Sequence, residues 1–207
     1  MAGFAGIAAV GTSIERLLSR AFVERQPIPG RLSRAALIRT EDLADDNAIR
    51  ELIGNQGVTL LLYRVDFNKS VRAAWSGAGT TDGRGHLALD LHYLLTPWAD
   101  NAEHQHMIVG RSMQALEHTP VLSGPLLHSP PLPMPDYAGE PETAVTDAVQ
   151  LLLEEISTEA LMRTFDSLPS DYRLSVPYVA RIVRIDTARR AVAPPVVDAD
   201  IRLQIPT

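Results

Sequence analysis

In residues 87–95 the side chains of Leu87, Leu89, Leu91, Tyr93 and Leu95 alternate with Ala88, Asp90 and His92, and His86 continues the second set. A side-chain period of two belongs to an extended strand with one apolar face. This segment therefore makes a sheet the organising element, with one face as core and the other selective. Pro97 ends the strand. Residues 58–65 are apolar at both parities up to Arg64, the pattern of an interior strand covered on both faces. A third long strand is expected over 172–186, where Tyr172, Leu174, Val176, Tyr178, Ala180 and Ile182 share one face and Arg173, Ser175 and Arg181 take the other. Pro177 lies within it, and a proline lacks the N–H that an interior position uses. The strand is expected at a sheet edge. Such an edge can meet a neighbouring subunit or be an ordinary solvated edge blunted by charge and proline.

Between the strands the period changes. Ile7, Val10, Ile14, Leu17, Leu18 and Ala21 recur at three- and four-residue steps, giving a docking helix that Pro27 and Pro29-Gly30 close near Glu24. Residues 41–57 mix acids with turn formers and are expected to be largely loop. After Pro97, Asp100 or Asn101 can cap a helix whose seam is Ala102, His106, Val109, Met113 and Leu116, with His106 as a hydrogen-bonded core histidine. Thr119-Pro120 closes it. Ser157 is a suitable cap for a helix over 158–168. A glycine-rich connection over 76–85 and a proline-rich connector over 119–141 complete the order, and a last strand is expected over 196–205.

Chemistry is excluded more readily than assigned. With 207 residues and 45% hydrophobic content the chain can bury a sizeable core, and one domain over 1–207 is expected. A net charge of -6 argues against a phosphate-neutralising grip on nucleic acid. The chain has no cysteine, which removes disulfides and thiol catalysis. No apolar run reaches the roughly 18–20 residues that cross a bilayer, and no basic residue precedes the apolar N-terminus as in a secretory signal, so no membrane partner is expected. The glycine-rich loop lacks the Gly-Lys-Ser/Thr ending of a phosphate cradle. His104 and His106 diverge on a helix and no His-Glu-x-x-His is present. Asp90, His92 and His86 share a strand face and could serve a small metal-dependent hydrolase, but no Gly-x-Ser-x-Gly elbow supplies a nucleophile. Glu154 with Glu155, Glu140 with Glu142, and Asp198 with Asp200 read as solvated charge. No cofactor or metal is expected.

Taken in order, several segments resemble a known family: Ile7 to Val10 through Leu17-Leu18; Leu60 to Tyr63; Leu87 to Leu95; Gly110-Arg111 with Met113 to Leu116; Pro120 to Ser123; and Tyr172 to Tyr178 through Arg184 to Asp186. Together they are similar to the N-terminal domain of cap, or tail-terminator, proteins of extracellular contractile injection systems of the antifeeding-prophage and virulence-cassette type. The resemblance resolves residues 145–156, ambiguous between helix and strand, in favour of a strand. It implies an α+β fold with a central mixed, mostly antiparallel sheet flanked by helices. It implies no enzyme, but a subunit of a homo-oligomeric, hexameric ring on the distal end of tube and sheath. The ring would stop polymerisation and couple sheath to tube. Sheath and inner-tube proteins would be its partners, with assembly in the cytoplasm before incorporation into the particle. Arg173, Ser175, Pro177, Arg181, Arg184, Asp90 and His92 are then the expected subunit or partner contacts. A soluble adaptor that binds one partner without forming a ring is the other non-enzymatic reading.

Overall fold

The computed structural model describes residues 4–71, 85–128 and 148–186. Helix α1 spans Gly6–Glu24 and buries Val10, Ile14, Leu18 and Ala21 of its expected stripe, with Phe22 beside them. Its last carbonyls lack intrahelical donors, as at every helix end. Arg111 adds donors at this end, Nη2 to the Ala21 carbonyl at 2.7 Å, which also accepts from the Arg25 amide at 3.1 Å, and Nε to the carbonyl of the capping Arg25 at 3.3 Å. The cation suits the negative end of the helix dipole.

Strand β1 (Arg34–Ile38), a 3-10 helix (Thr40–Ala44), helix α2 (Asp46–Ile53) and strand β2 (Gly57–Phe67) follow. The expectation of loop over 41–57 is thus corrected. Its polar residues are helix ends: Asp45 Oδ1 accepts from the amides of Asn47 and Ala48, and Gly54 closes α2 at φ 70. Ile49 and Ile53, one turn apart, are buried between them. β1 lies parallel to β2, from Arg34 beside Gly57 to Ile38 beside Leu61. A Cβ on Gly57 would overlap the Arg34 carbonyl oxygen, so only glycine lets β1 approach this closely.

Strand β3 (His86–Trp98) leads to helix α3 (Ala102–His118), which Asn101 caps by accepting from the His104 amide at 2.8 Å. The seam of α3 is rotated from the expected one. Ile108, Ser112, Ala115 and Leu116 are buried, and His106 is exposed rather than a core histidine. Strand β4 (Val121–Ser123) and a 3-10 turn (Gly124–Leu126) occupy the start of the proline-rich stretch. Most of that stretch, all of the glycine-rich loop before Gly85, and the expected last strand over 196–205 lie outside the described residues. Strand β5 (Ala148–Leu153), helix α4 (Thr158–Asp166) and strand β6 (Val176–Asp186) complete the order. Ser157 caps α4 through its Oγ, 3.1 Å from the Ala160 amide.

The strands form one mixed sheet in the order β1-β2-β3-β6-β5-β4, antiparallel except for β1 and β2. This is the expected α+β architecture. β6 is not an edge, however: it lies between β3 and β5. Pro177 is tolerated because it sits where the β5 ladder runs out. Its carbonyl accepts from the Glu154 amide at 2.9 Å, one residue beyond the last pair, Leu153 with Tyr178. The missing N–H faces that same ladder end.

Two bulges flank the middle of β3. Tyr63 is an extra residue on β2 between the pairs Leu62–Tyr93 and Arg64–His92. On β6, Arg181 and Ile182 together oppose Asp90, between the pairs Leu91–Ala180 and Leu89–Val183. An extra residue reverses the faces beyond it. Tyr178 and Ala180 therefore share the larger core with Val183, and the face expected to run on to Ile182 switches parity.

That larger core lies under α1 and α3, against Leu89, Leu91, Tyr93 and Leu95. A smaller one on the opposite face joins Ile49, Ile53, Leu61, Leu94, Trp98 and Phe165. β3 is buried on both sides.

Candidate interaction surface

Beyond the smaller core, the second face of the sheet becomes charged. Asp90 and His92, on the same side of β3 as Leu94, are only 7% and 6% exposed. A buried polar or charged group needs partners, and each has several. The Asn68 amide donates to Asp90 at 2.9 Å, and the Arg181 Nε lies 3.2 Å from its other oxygen. His92 sits between two carboxylates, Nδ1 2.9 Å from Glu154 Oε2 and Nε2 3.3 Å from Asp66 Oδ2. Arg64 binds both acids, at 2.8 Å to Glu154 and 2.9 Å to Asp66.

Tyr63 completes this group by donating its hydroxyl to Glu154 at 2.9 Å. Burial first, and then the hydrogen bond to Glu154, push the Tyr63 hydroxyl well above the usual phenol range. It stays a donor. The β2 bulge brings Tyr63 and Arg64 together at this point, because it puts consecutive residues opposite one β3 position. Sequence reading missed Tyr63, Arg64, Asp66 and Asn68, and it placed Glu154 in solvent. The extra residue on β2 leaves no mark in an apolar run, whereas the chain reversal after β5 that aims Glu154 at His92 is a tertiary event.

The three residues of the hydrolase reading do not converge. His86 binds Asp186 at 2.6 Å, near the sheet's other end, while Asp90 and His92 have separate partners. No group of three or more metal-ligating side chains with room for an ion occurs among the described residues. What these groups make is a fixed, charge-paired surface. No described helix is long and apolar enough to cross a membrane.

The expected contact residues fall into two sets. Ser175 is buried and bonded to Thr96 Oγ1 at 2.7 Å, and Pro177 ends the β5 ladder. Arg184 Nε lies 3.1 Å from Asp186. Arg173 and Arg181 keep more of their side chains in solvent, 34% and 46%. Arg173 lies over the Trp98 ring, 4.3 Å from its centroid, and binds both oxygens of Asp46. It ties the approach to β6 onto α2 and the smaller core.

The mixed sheet with helices on both faces is a fold this chain shares with solved terminator proteins. Two solved structures show the likeness. One is the sheath/tube terminator of an extracellular contractile injection system, PVC, in its extended state (TM-score 0.54, 20% identity). The other is the anti-feeding prophage cap, a tube terminating cap (TM-score 0.52, 16% identity). The alignments cover 97% and 94% of this chain but 64% and 60% of theirs, so it spans less than two thirds of either protein. The sequence profile of the Pvc16 N-terminal domain matches residues 9–199, and the chain belongs to that family. No curated protein matches it by sequence.

Proposed function

We propose that this chain is a structural cap of a phage-tail-like contractile injection system. Its copies form a ring, expected to be hexameric, on the distal end of the inner tube and sheath. The ring halts polymerisation and couples sheath to tube. The observation that carries this reading is the family match over 9–199, supported by a fold shared with a sheath/tube terminator and a tube terminating cap. A heterologous contact that closes on itself gives a finite ring, and a ring whose two faces differ stops growth without chemistry.

The buried side chains fit this role. Charges at the middle of the sheet are neutralised within the subunit, which favours a rigid body with fixed outer surfaces. Arg173 and Arg181, the more exposed of the expected contacts, remain in the proposal as contact residues. Sheath and inner-tube proteins are the partners, and nucleic acid and membrane are not. Assembly takes place in the cytoplasm, and the chain then becomes part of the contractile particle.

Gold-labelled antibody against this chain tests the placement by electron microscopy of purified particles. Label at one end, distal to the baseplate, is the expected result. Label along the sheath, at the baseplate, or absent from the particles would contradict it.

A further inference from the structure

β2 extends to Phe67, yet β1 pairs with it only as far as Leu61, after which the chain turns into the 3-10 helix at Thr40. Over residues 62–67 no described strand lies on that side of β2. Val65 shows the consequence. It is paired with the fully buried Leu91 and faces the side of the larger core, yet it remains 44% exposed in the lone chain. Among the described residues this leaves a lane beside residues 62–66 of β2, closed at one end by β1, and such a lane accepts a short strand rather than a helix or a loop.

The sequence holds a segment of matching length and pattern. In residues 200–205, Ile201, Leu203 and Ile205 alternate with Asp200, Arg202 and Gln204, and Pro194-Pro195 and Pro206 bound the stretch. We infer that this C-terminal segment of one copy adds as a strand to the open half of β2 on a second copy. The inference rests on the ring reading above, because a donor and an acceptor on different surfaces of each subunit make a head-to-tail contact.

Charge selects the direction. With Leu203 opposite Val65, an antiparallel strand sets Arg202 against Asp66 and Gln204 against Arg64. A parallel strand sets Arg202 against Arg64. Like charges directly opposite are unfavourable and opposite charges favourable. The added strand is therefore antiparallel, and Leu203 covers Val65.

The absence of cysteine makes the register testable by cross-linking, since directly opposed residues on antiparallel strands are within disulfide reach. Val65→Cys and Leu203→Cys chains are purified separately, mixed and mildly oxidised, with thermal unfolding confirming that each is folded. The expected result is several-fold more disulfide-linked dimer in the mixture than in either variant alone. An added Arg202→Glu change should abolish this gain, and a compensating Asp66→Lys change should restore it. No enrichment on mixing overturns the inference. So does a Val65→Cys/Leu203→Cys double variant that closes only within a single chain. If wild-type rings form by light scattering but no mixed cross-link appears, strand addition fails and the ring stands. If the cross-link forms but gold label is missing from the particle end, the cap reading fails and strand addition stands.

Discussion

One face of β3 is buried twice, by different means. At its C-terminal end Leu94 and Trp98 are covered by α2 and α4, in a core whose main polar features are the Trp98 Nε1 bond to Thr59 at 2.9 Å and the stacked Arg173. Toward its N-terminal end Asp90 and His92 are nearly as inaccessible, but they are covered by charged and amide side chains from β2, β6 and the turn after β5. The first end excludes water by apolar contact, which is insensitive to protonation. The second excludes it with charges, each of which must keep its partner. A strand can thus carry polar side chains inside a sheet when bulges in its neighbours bring the counter-charges alongside.

The largest expected effect is at the apolar end. Leu94→Ala should cost about 2–5 kcal/mol in urea unfolding, because the rigid surroundings leave a cavity. That loss should be the same at low and high salt. Glu154→Ala at the charged end should cost about 1–3 kcal/mol, since it strips partners from Tyr63, Arg64 and His92 at once. Its cost should vary with ionic strength, and two losses with the same salt dependence would erase the distinction between the ends. Ser157→Ala removes the α4 cap that seats Phe165 in the smaller core, and about 1 kcal/mol is expected, read as a lowered Tm.

The smallest effect concerns Asp100, beside the apolar end. Hydrogen bonds from Arg31 and Arg50 hold its carboxyl below the usual carboxylate range. A carboxylate whose folded pKa is depressed stabilises fully above its unfolded value of about 3.9 and loses that contribution as pH falls through the lower folded value. Acid titration of the Tm should therefore fall more steeply for wild type than for Asp100→Asn in that window. Because the group is exposed, the difference should be slight at high salt.

The elements that could be read from sequence are those whose pattern is local. The period of α1, the strand over 86–95 and the helix caps, Asn101 rather than Asp100 for α3 and Ser157 for α4, need only neighbouring residues, and the structure has them, although it buries both faces of β3. The resemblance gave the fold class and correctly made 148–153 a strand. Three features were hidden, the second and third because they depend on partners distant in sequence. α2 is short and its ends are made of the very residues that signal loop. β6 becomes interior because the chain places it between β3 and the earlier β5, leaving Pro177 at a ladder end. The charged group around His92 needs two bulges and Glu154, 62 positions further along, none of which a period can reveal.

The central claim is that this chain ends a growing cylinder by shape. Electron microscopy of particles assembled with and without it measures this directly through the distribution of tube and sheath lengths. One narrow length with the chain, and a broad spread or frayed distal ends without it, is the predicted result. Particles of the same length and finish in its absence would contradict the account.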